Sequence, residues 1–177
     1  MPHQIQPATS GRSKCRGCGR AIAAGELRFG ETQPNPFADG EMTQWFHLAC
    51  GAYKRPEPFL EAVGALPEPI AEADGLVAEA KTGVEHRRLP RLSGAERAPS
   101  GRAQCRSCKT TIDKGAWRFP LVFFEDGRFE NAGSIHVRCA QAYFETTDVL
   151  PRVKRFAPDL TEDDLRKIQA ELAPPPA

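Results

Sequence analysis

"SGRSKCRGCG" at residues 10–19 and "SGRAQCRSCK" at residues 100–109 open alike, ninety positions apart. Laid over one another without a gap, residues 10–29 and 100–119 coincide at ten of twenty positions: Ser10/Ser100, Gly11/Gly101, Arg12/Arg102, Cys15/Cys105, Arg16/Arg106, Cys18/Cys108, Ile22/Ile112, Gly25/Gly115, Arg28/Arg118 and Phe29/Phe119. Self-similarity at a fixed offset marks a chain assembled from like units. Each copy then closes with His-x-x-Cys, as "HLAC" at residues 47–50 and "HVRC" at residues 136–139, after gaps of 28 and 27 residues from the preceding cysteine. The two copies consume all six cysteines.

Two chemistries compete for those cysteines. A disulfide framework requires an oxidising compartment and would leave one of three thiols unpaired in each copy. A metal site leaves nothing over: three thiolates and one imidazole complete a closed tetrahedral zinc centre of the structural kind. Iron is conceivable, but a site with one histidine, three cysteines and a long gap suits zinc better. The expected ligands are Cys15, Cys18, His47 and Cys50 in the first copy, and Cys105, Cys108, His136 and Cys139 in the second. Two structural Zn²⁺ ions are thus the expected cofactors. Because an unfolded chain holds no such site, their binding supplies folding energy that units with thin cores need. The remaining histidines, His3 and His86, read as solvated bystanders.

Composition sets the outer bounds. The chain has 177 residues, 40% of them hydrophobic and 27% charged, in the range of soluble proteins. No stretch approaches the ~20 apolar residues of a membrane span, and the first residues lack the apolar run of a signal peptide. The expectation is an intracellular monomer without a membrane partner, cytoplasmic or nucleoid-associated if bacterial and nuclear if eukaryotic. Net charge is only +1, but it is unevenly spread: residues 1–58 carry seven Lys/Arg against five Asp/Glu, and residues 100–144 seven against four. The intervening and trailing stretches each carry five against seven. Basic charge therefore gathers around the cysteines.

The local patterns predict an α+β fold, two small zinc-stabilised domains in tandem, each a short antiparallel sheet plus helix. "ELRFGE" alternates Leu27 and Phe29 inward with Arg28 outward, and "TQWFHLAC" carries a strand into the ligand helix. The second copy repeats this with "AWRFPLVFF" and "SIHVRC". "TQPNPFADGEM" and "EDGRFENAG" read as exposed loops. Ile22, Phe29, Trp45, Ile112 and Phe119 are the expected core. The expected boundaries are a flexible N-terminus over residues 1–9, a finger over 10–58, a helix-containing linker over 59–99, a second finger over 100–146 and a helical tail over 147–177. Within the linker, "RRLPRLSGAERAPSG" reads as a tether. Thr161 with Asp164 has the pattern of a helix cap, and Pro174 to Pro176 close the sequence.

These residues resemble the zinc fingers of poly(ADP-ribose) polymerase type, also found in one class of eukaryotic DNA ligase. The resemblance rests on Gly-Arg before the first ligand, Cys-x-x-Cys, an arginine ten residues after the second cysteine, and Trp-aromatic-His-x-x-Cys, over roughly residues 8–58 and 98–146. It implies recognition of double-stranded DNA at breaks, nicks or ends, by structure and without base preference. Arginines would meet the phosphate backbone and apolar loop residues would stack on the exposed base pair. By position it implies backbone roles for Arg12, Arg28, Arg102 and Arg118, and stacking roles for Phe37 and Met42, with Phe129 as the second copy's loop aromatic. Alone, Arg28 and Arg118 also suit solvated charge, and Phe37 could tuck over the sheet as readily as project. The first copy departs from the family at Ala38, where a larger apolar residue is usual. The second shows Ser134-Ile135 in place of Trp45-Phe46. No polymerase, ligase or helicase signature follows either finger, so the expectation is a non-enzymatic damage sensor or repair accessory, with a repair enzyme as a possible partner. The competing expectation is a zinc-scaffolded protein-interaction module.

Overall fold

A computed structural model describes residues 2–173. It divides into two units, Met1–Glu85 and His86–Ala177. In the first, β1 (Gln4–Pro7), β2 (Leu27–Pro34) and β3 (Glu41–His47) form an antiparallel sheet in that order. α1 (Leu48–Lys54), α2 (Pro56–Gly64) and α3 (Asp74–Glu85) follow. Period-2 alternation on β2 and β3 sorts their side chains onto two faces. Phe29 and Phe46 are register partners on the inner face, with ring centroids 5.7 Å apart. Phe59 of α2 meets Phe29 edge-on at 5.7 Å, and all three rings are fully buried.

The helices lie on that inner face because two devices hold them there. Gly51 has no Cβ to spare: one placed there would come within 2.5 Å of the Phe29 ring, so α1 can sit directly on the sheet. Arg55, between α1 and α2, donates from Nε and a terminal nitrogen to both carboxylate oxygens of buried Glu31 on β2. α3 then packs on α1 and α2.

The second unit repeats the sheet with β4 (Glu96–Arg97), β5 (Trp117–Glu125) and β6 (Arg128–His136), ordered 4-5-6 and antiparallel. α4 (Ala140–Phe144), α5 (Leu150–Phe156) and α6 (Glu162–Leu172) follow. The ninety-residue offset extends to backbone hydrogen bonds: Gly25 N–H to Ala8 C=O and Gly115 N–H to Ala98 C=O are both 2.8 Å. Phe119, Ile112, Ile135 and Val153 are fully buried in one core. Thr161 and Asp164 form a capping box on α6, each side chain accepting the other's backbone N–H at 3.1 Å.

The structure corrects several expectations. Gln4–Pro7 is not free but pairs with β2, Ile5 opposite Phe29. The stretch read as a tether contributes Leu89, Leu92, Ala95 and Ala98 to the second unit's core, and its Glu96–Arg97 pairs with β5. Short apolar residues spread among Arg and Pro disguised that burial. "EDGRFENAG" is mostly strand β6, since Asp126 (φ 49°) and Gly127 (φ 77°) alone make a two-residue hairpin turn. The tail helices are core elements too, through Val149, Val153, Leu165, Ile168 and Leu172. Trp45 lies half-buried on the outer face, opposite Gly30, while Phe46 fills the core position. Pro174 to Pro176 lie outside the described residues. Among the described residues no helix is long and apolar enough to cross a membrane.

Candidate metal centres and nucleic-acid interface

Two tetrads, Cys15/Cys18/His47/Cys50 and Cys105/Cys108/His136/Cys139, each gather their donor atoms within 4.8 Å of one another. Each Cys-x-x-Cys sits in a tight turn whose backbone aims N–H groups at the first sulfur. Gly17 and His47 donate to Cys15 Sγ at 3.3 Å each. Ser107 and His136 donate to Cys105 Sγ at 3.4 and 3.3 Å. Gly17 permits the tightness in the first copy, since a Cβ there would come within 2.8 Å of Cys50 Cβ.

The histidine tautomer follows from its second contact. Nε2 lies 3.1 Å from the Ala21 carbonyl in His47 and 3.2 Å from the Thr111 carbonyl in His136. A carbonyl oxygen only accepts, so Nε2 carries the hydrogen and Nδ1 offers a lone pair to the tetrad. Nδ1 stands 3.4 Å and 3.9 Å from Cys18 and Cys50, and 3.3 Å and 3.8 Å from Cys108 and Cys139. A tetrahedral centre with Zn–S of ~2.3 Å and Zn–N of ~2.0 Å sets such edges at about 3.5 Å, so the donor set fits zinc.

Proton chemistry gives the same answer. In the first tetrad Cys15 is lowered to about 4, first by the hydrogen bond from the Cys50 side chain. Within the second, Cys108 is lowered to about 6, first by its hydrogen bond with the Thr110 side chain, whereas burial and then the charge of Cys105 push Cys139 up to about 12. Thiolates this close do not all ionise readily without a cation among them. A zinc ion removes the conflict, and each site is a closed, structural zinc centre.

The side chains singled out for nucleic acid fall in different settings. Phe37 projects from the tip of the β2–β3 hairpin with 86% exposure, although Phe29, Phe46 and Phe59 of the same unit are fully buried. Its N–H bonds Asn35 Oδ1 at 2.9 Å, which fixes the turn beneath it. Met42 is half-buried on β3, opposite Gln33. Arg12 is exposed, as is Arg102. Arg28 is not outward: it is 5% exposed, its guanidinium stacks 3.6 Å over the Trp45 ring, and it donates to Ser13 Oγ at 2.7 Å. Arg118 is half-buried and donates twice to Glu96 Oε1, at 3.0 and 2.7 Å. Phe129 packs edge-on against Phe124 at 5.0 Å, and Phe123 is the aromatic that the second hairpin exposes, at 41%.

The loss of Trp45 from the second copy has a structural consequence. Gly30 makes room for that indole in the first copy, where a Cβ would come within 2.7 Å of it. Ser134 cannot cover Arg118 in the same way, and a recess of about 580 Å³ lies there, lined by Arg102, Arg106, Lys109, Arg118, Gly133 and Ser134 among others. Arg106 crosses β6 at Gly133 (φ 87°), where a Cβ would come within 2.6 Å of its Nε. Sequence reasoning matched Arg106 to Arg16 but gave it no role. The pairing of a glycine with a lost tryptophan was the available signal.

Two closed Cys₃His centres on paired three-stranded sheets define a tandem zinc-finger protein. Residues 6–86 match the family model "Poly(ADP-ribose) polymerase and DNA-Ligase Zn-finger region". The first unit therefore matches that zinc-finger family model along its length, and the second unit reproduces the ligand set and geometry of the first. Among curated relatives, Poly [ADP-ribose] polymerase 1 of Caenorhabditis elegans is 44% identical over 50 residues, which is 28% of this chain and 5% of that protein. Poly [ADP-ribose] polymerase 1 of Gallus gallus is 31% identical over 133 residues (66% of this chain, 13% of that protein). Poly [ADP-ribose] polymerase of Sarcophaga peregrina is 29% identical over 143 residues (71% and 14%). The chain thus spans about a seventh or less of each relative's length.

Proposed function

We propose that the chain is a zinc-dependent DNA-binding protein that recognises breaks, nicks or ends in duplex DNA and serves repair as a sensor or accessory factor. The observation that carries this reading is Phe37, an aromatic held at 86% exposure on a fixed hairpin tip. An exposed terminal base pair, present only where a duplex is interrupted, rewards such a ring by about 1–3 kcal/mol per stacked base. Intact duplex hides that face. Guanidinium groups supply the sequence-independent part, since their planar donors match phosphate and their binding releases counterions.

The arginines divide the work. Arg12 is exposed and available to phosphate, whereas Arg28, sandwiched between Ser13 and Trp45, acts by holding the loop that carries Arg12. The test compares binding of the whole protein to nicked, blunt-ended and closed-circular DNA across a salt series, with Arg12→Ala and Arg28→Ala beside wild type. Break recognition predicts tighter binding to nicked and blunt DNA. Equal affinity for all three would sink it. Salt-insensitive capture of a protein in place of DNA would point to an interaction module.

A further inference from the structure

A second basic recess in the His86–Ala177 unit involves none of Arg12, Arg28, Arg102 and Arg118, the arginines given a backbone role above. It has a volume of about 440 Å³ and is lined by Arg88, Arg91, Arg106, Lys109, Phe123 and Tyr143, with Asn131 and Ala132. Four of these eight residues are cationic and none is acidic. In a chain of net charge +1, four cations around one recess without a carboxylate form a local field, not the mixed surface that solvation alone would leave.

The walls are held in place. Arg91 donates to the hydroxyl of Tyr143 at 3.1 Å, and Arg88 stands 5.0 Å over the same ring. Tyr143 is itself buried at 7% exposure, so it is a rigid post for both guanidiniums. On the other wall, Arg106 is set by its passage over Gly133, and Lys109 occupies the left-handed backbone region at φ 65°. Arg106, Lys109 and Asn131 also line the recess that contains Arg102 and Arg118. The two recesses therefore share a wall, and the basic surface continues past the motif arginines onto the 88–91 segment.

We propose that this recess binds phosphodiester groups of a polynucleotide, extending the strand's path beyond the contacts that the repeated motif supplies. The proposal rests on the DNA-binding reading above. Phosphodiester is the chemistry that fits: the ligand must be anionic, must accept planar guanidinium forks, and must reach both recesses. Phe123, 41% exposed at the edge, offers a face to an unpaired base. Such phosphates could come from the duplex flank or from a single-stranded tail at the break.

The whole protein would be titrated by fluorescence anisotropy, across a salt series, onto a nicked duplex and onto the same duplex bearing a single-stranded tail. Variants would be Arg88→Gln/Arg91→Gln together and, on the opposite wall, Lys109→Asn, which suits a left-handed backbone. Melting temperature and zinc content would verify the fold of each. The double variant should lower the slope of log affinity against log salt by about two, and Lys109→Asn by about one. Loss on both DNAs assigns the recess to the duplex flank, and loss confined to the tailed DNA assigns it to the single strand. Folded variants from both walls with wild-type slopes on both DNAs would overturn the proposal while leaving DNA binding intact. Wild type that binds neither DNA would overturn the underlying reading as well.

Discussion

Replacing Phe37 by alanine separates stability from recognition, because the ring touches little of its own protein. At 86% exposure its removal opens no cavity, and the melting temperature should match wild type, with a change within about 0.5 kcal/mol. Its loss in a complex is another matter. A phenylalanine buries roughly 150–250 Å² when fully covered, and at ~25 cal/mol/Å² a capped ring would gain at most about 6 kcal/mol. Ordering and desolvation of the base pair reduce that to about 1–3 kcal/mol, roughly 5- to 150-fold in Kd. The loss should fall on nicked or blunt DNA alone. Affinity for closed-circular DNA, which rests on counterion release, should hold within about twofold, with an unchanged salt slope. Equal weakening on interrupted and closed DNA would refute the wedge argument, since a ring between base pairs cannot report on a face that stacking hides. A drop in melting temperature would refute the premise that the tip is free of the core.

Three further outcomes follow from the geometry. Arg55→Ala strands the buried Glu31 carboxylate and should cost about 3–5 kcal/mol, whereas Glu31→Ala leaves a guanidinium that can reach water and should cost clearly less; chemical denaturation of both variants checks the asymmetry. Cys108 is exposed where its counterpart Cys18 is half-buried, so a thiol-modifying reagent should release zinc in two phases, the faster from the second site. Cys108→Ser should remove that phase and leave about one zinc per chain. Asp164 accepts the Thr161 N–H and so titrates below its ordinary 3.8. Its folded value is depressed, so its contribution to α6 is present above pH 3.8 and fades as pH falls through that lower value; carboxyl chemical shifts followed from pH 5 to 2 give the midpoint.

The metal centres were legible because coordination chemistry writes itself as spacing. Four donors of two types at fixed intervals, written twice, leave no competing arrangement that uses every cysteine together with both closing histidines. The capping box was legible for the same reason, since Thr161 and Asp164 meet within one turn. What escaped the sequence depended on partners distant along the chain. Arg28 alternates with core residues, so strand periodicity assigns it to solvent. The Trp45 ring that covers it arrives from β3, seventeen positions on, and Gly30 is what lets the ring lie flat. Leu89 and Leu92 escaped differently. Each is a single leucine among Arg, Pro and Gly, too sparse for any period, yet Ser93 N–H reaches the Pro120 carbonyl at 2.9 Å and draws the segment onto β5.

The two fingers then show how one metal scaffold yields two surfaces. The backbone N–H bonds to the first sulfur, the histidine–sulfur distances and the histidine tautomer agree to within about 0.1 Å between copies, while Cys108 alone adds a 3.0 Å contact with Thr110 Oγ1, so the core of the zinc centre is common to both. The difference lies where β3 and β6 enter the ligand helix. In the first copy Trp45 fills that place and pins Arg28, leaving the aromatic tip as the distinctive feature. In the second, Gly133 and Ser134 leave it open, Arg106 lies across the strand, and Arg118 turns to Glu96. Ser134→Trp tests whether this one position governs the exchange. The indole has Pro120 opposite it in register, where the first copy has Gly30, so it cannot lie flat. It should instead project into the recess, weakening binding through the second finger while leaving its zinc in place. Unchanged affinity in that variant would show that the open recess takes no part in binding.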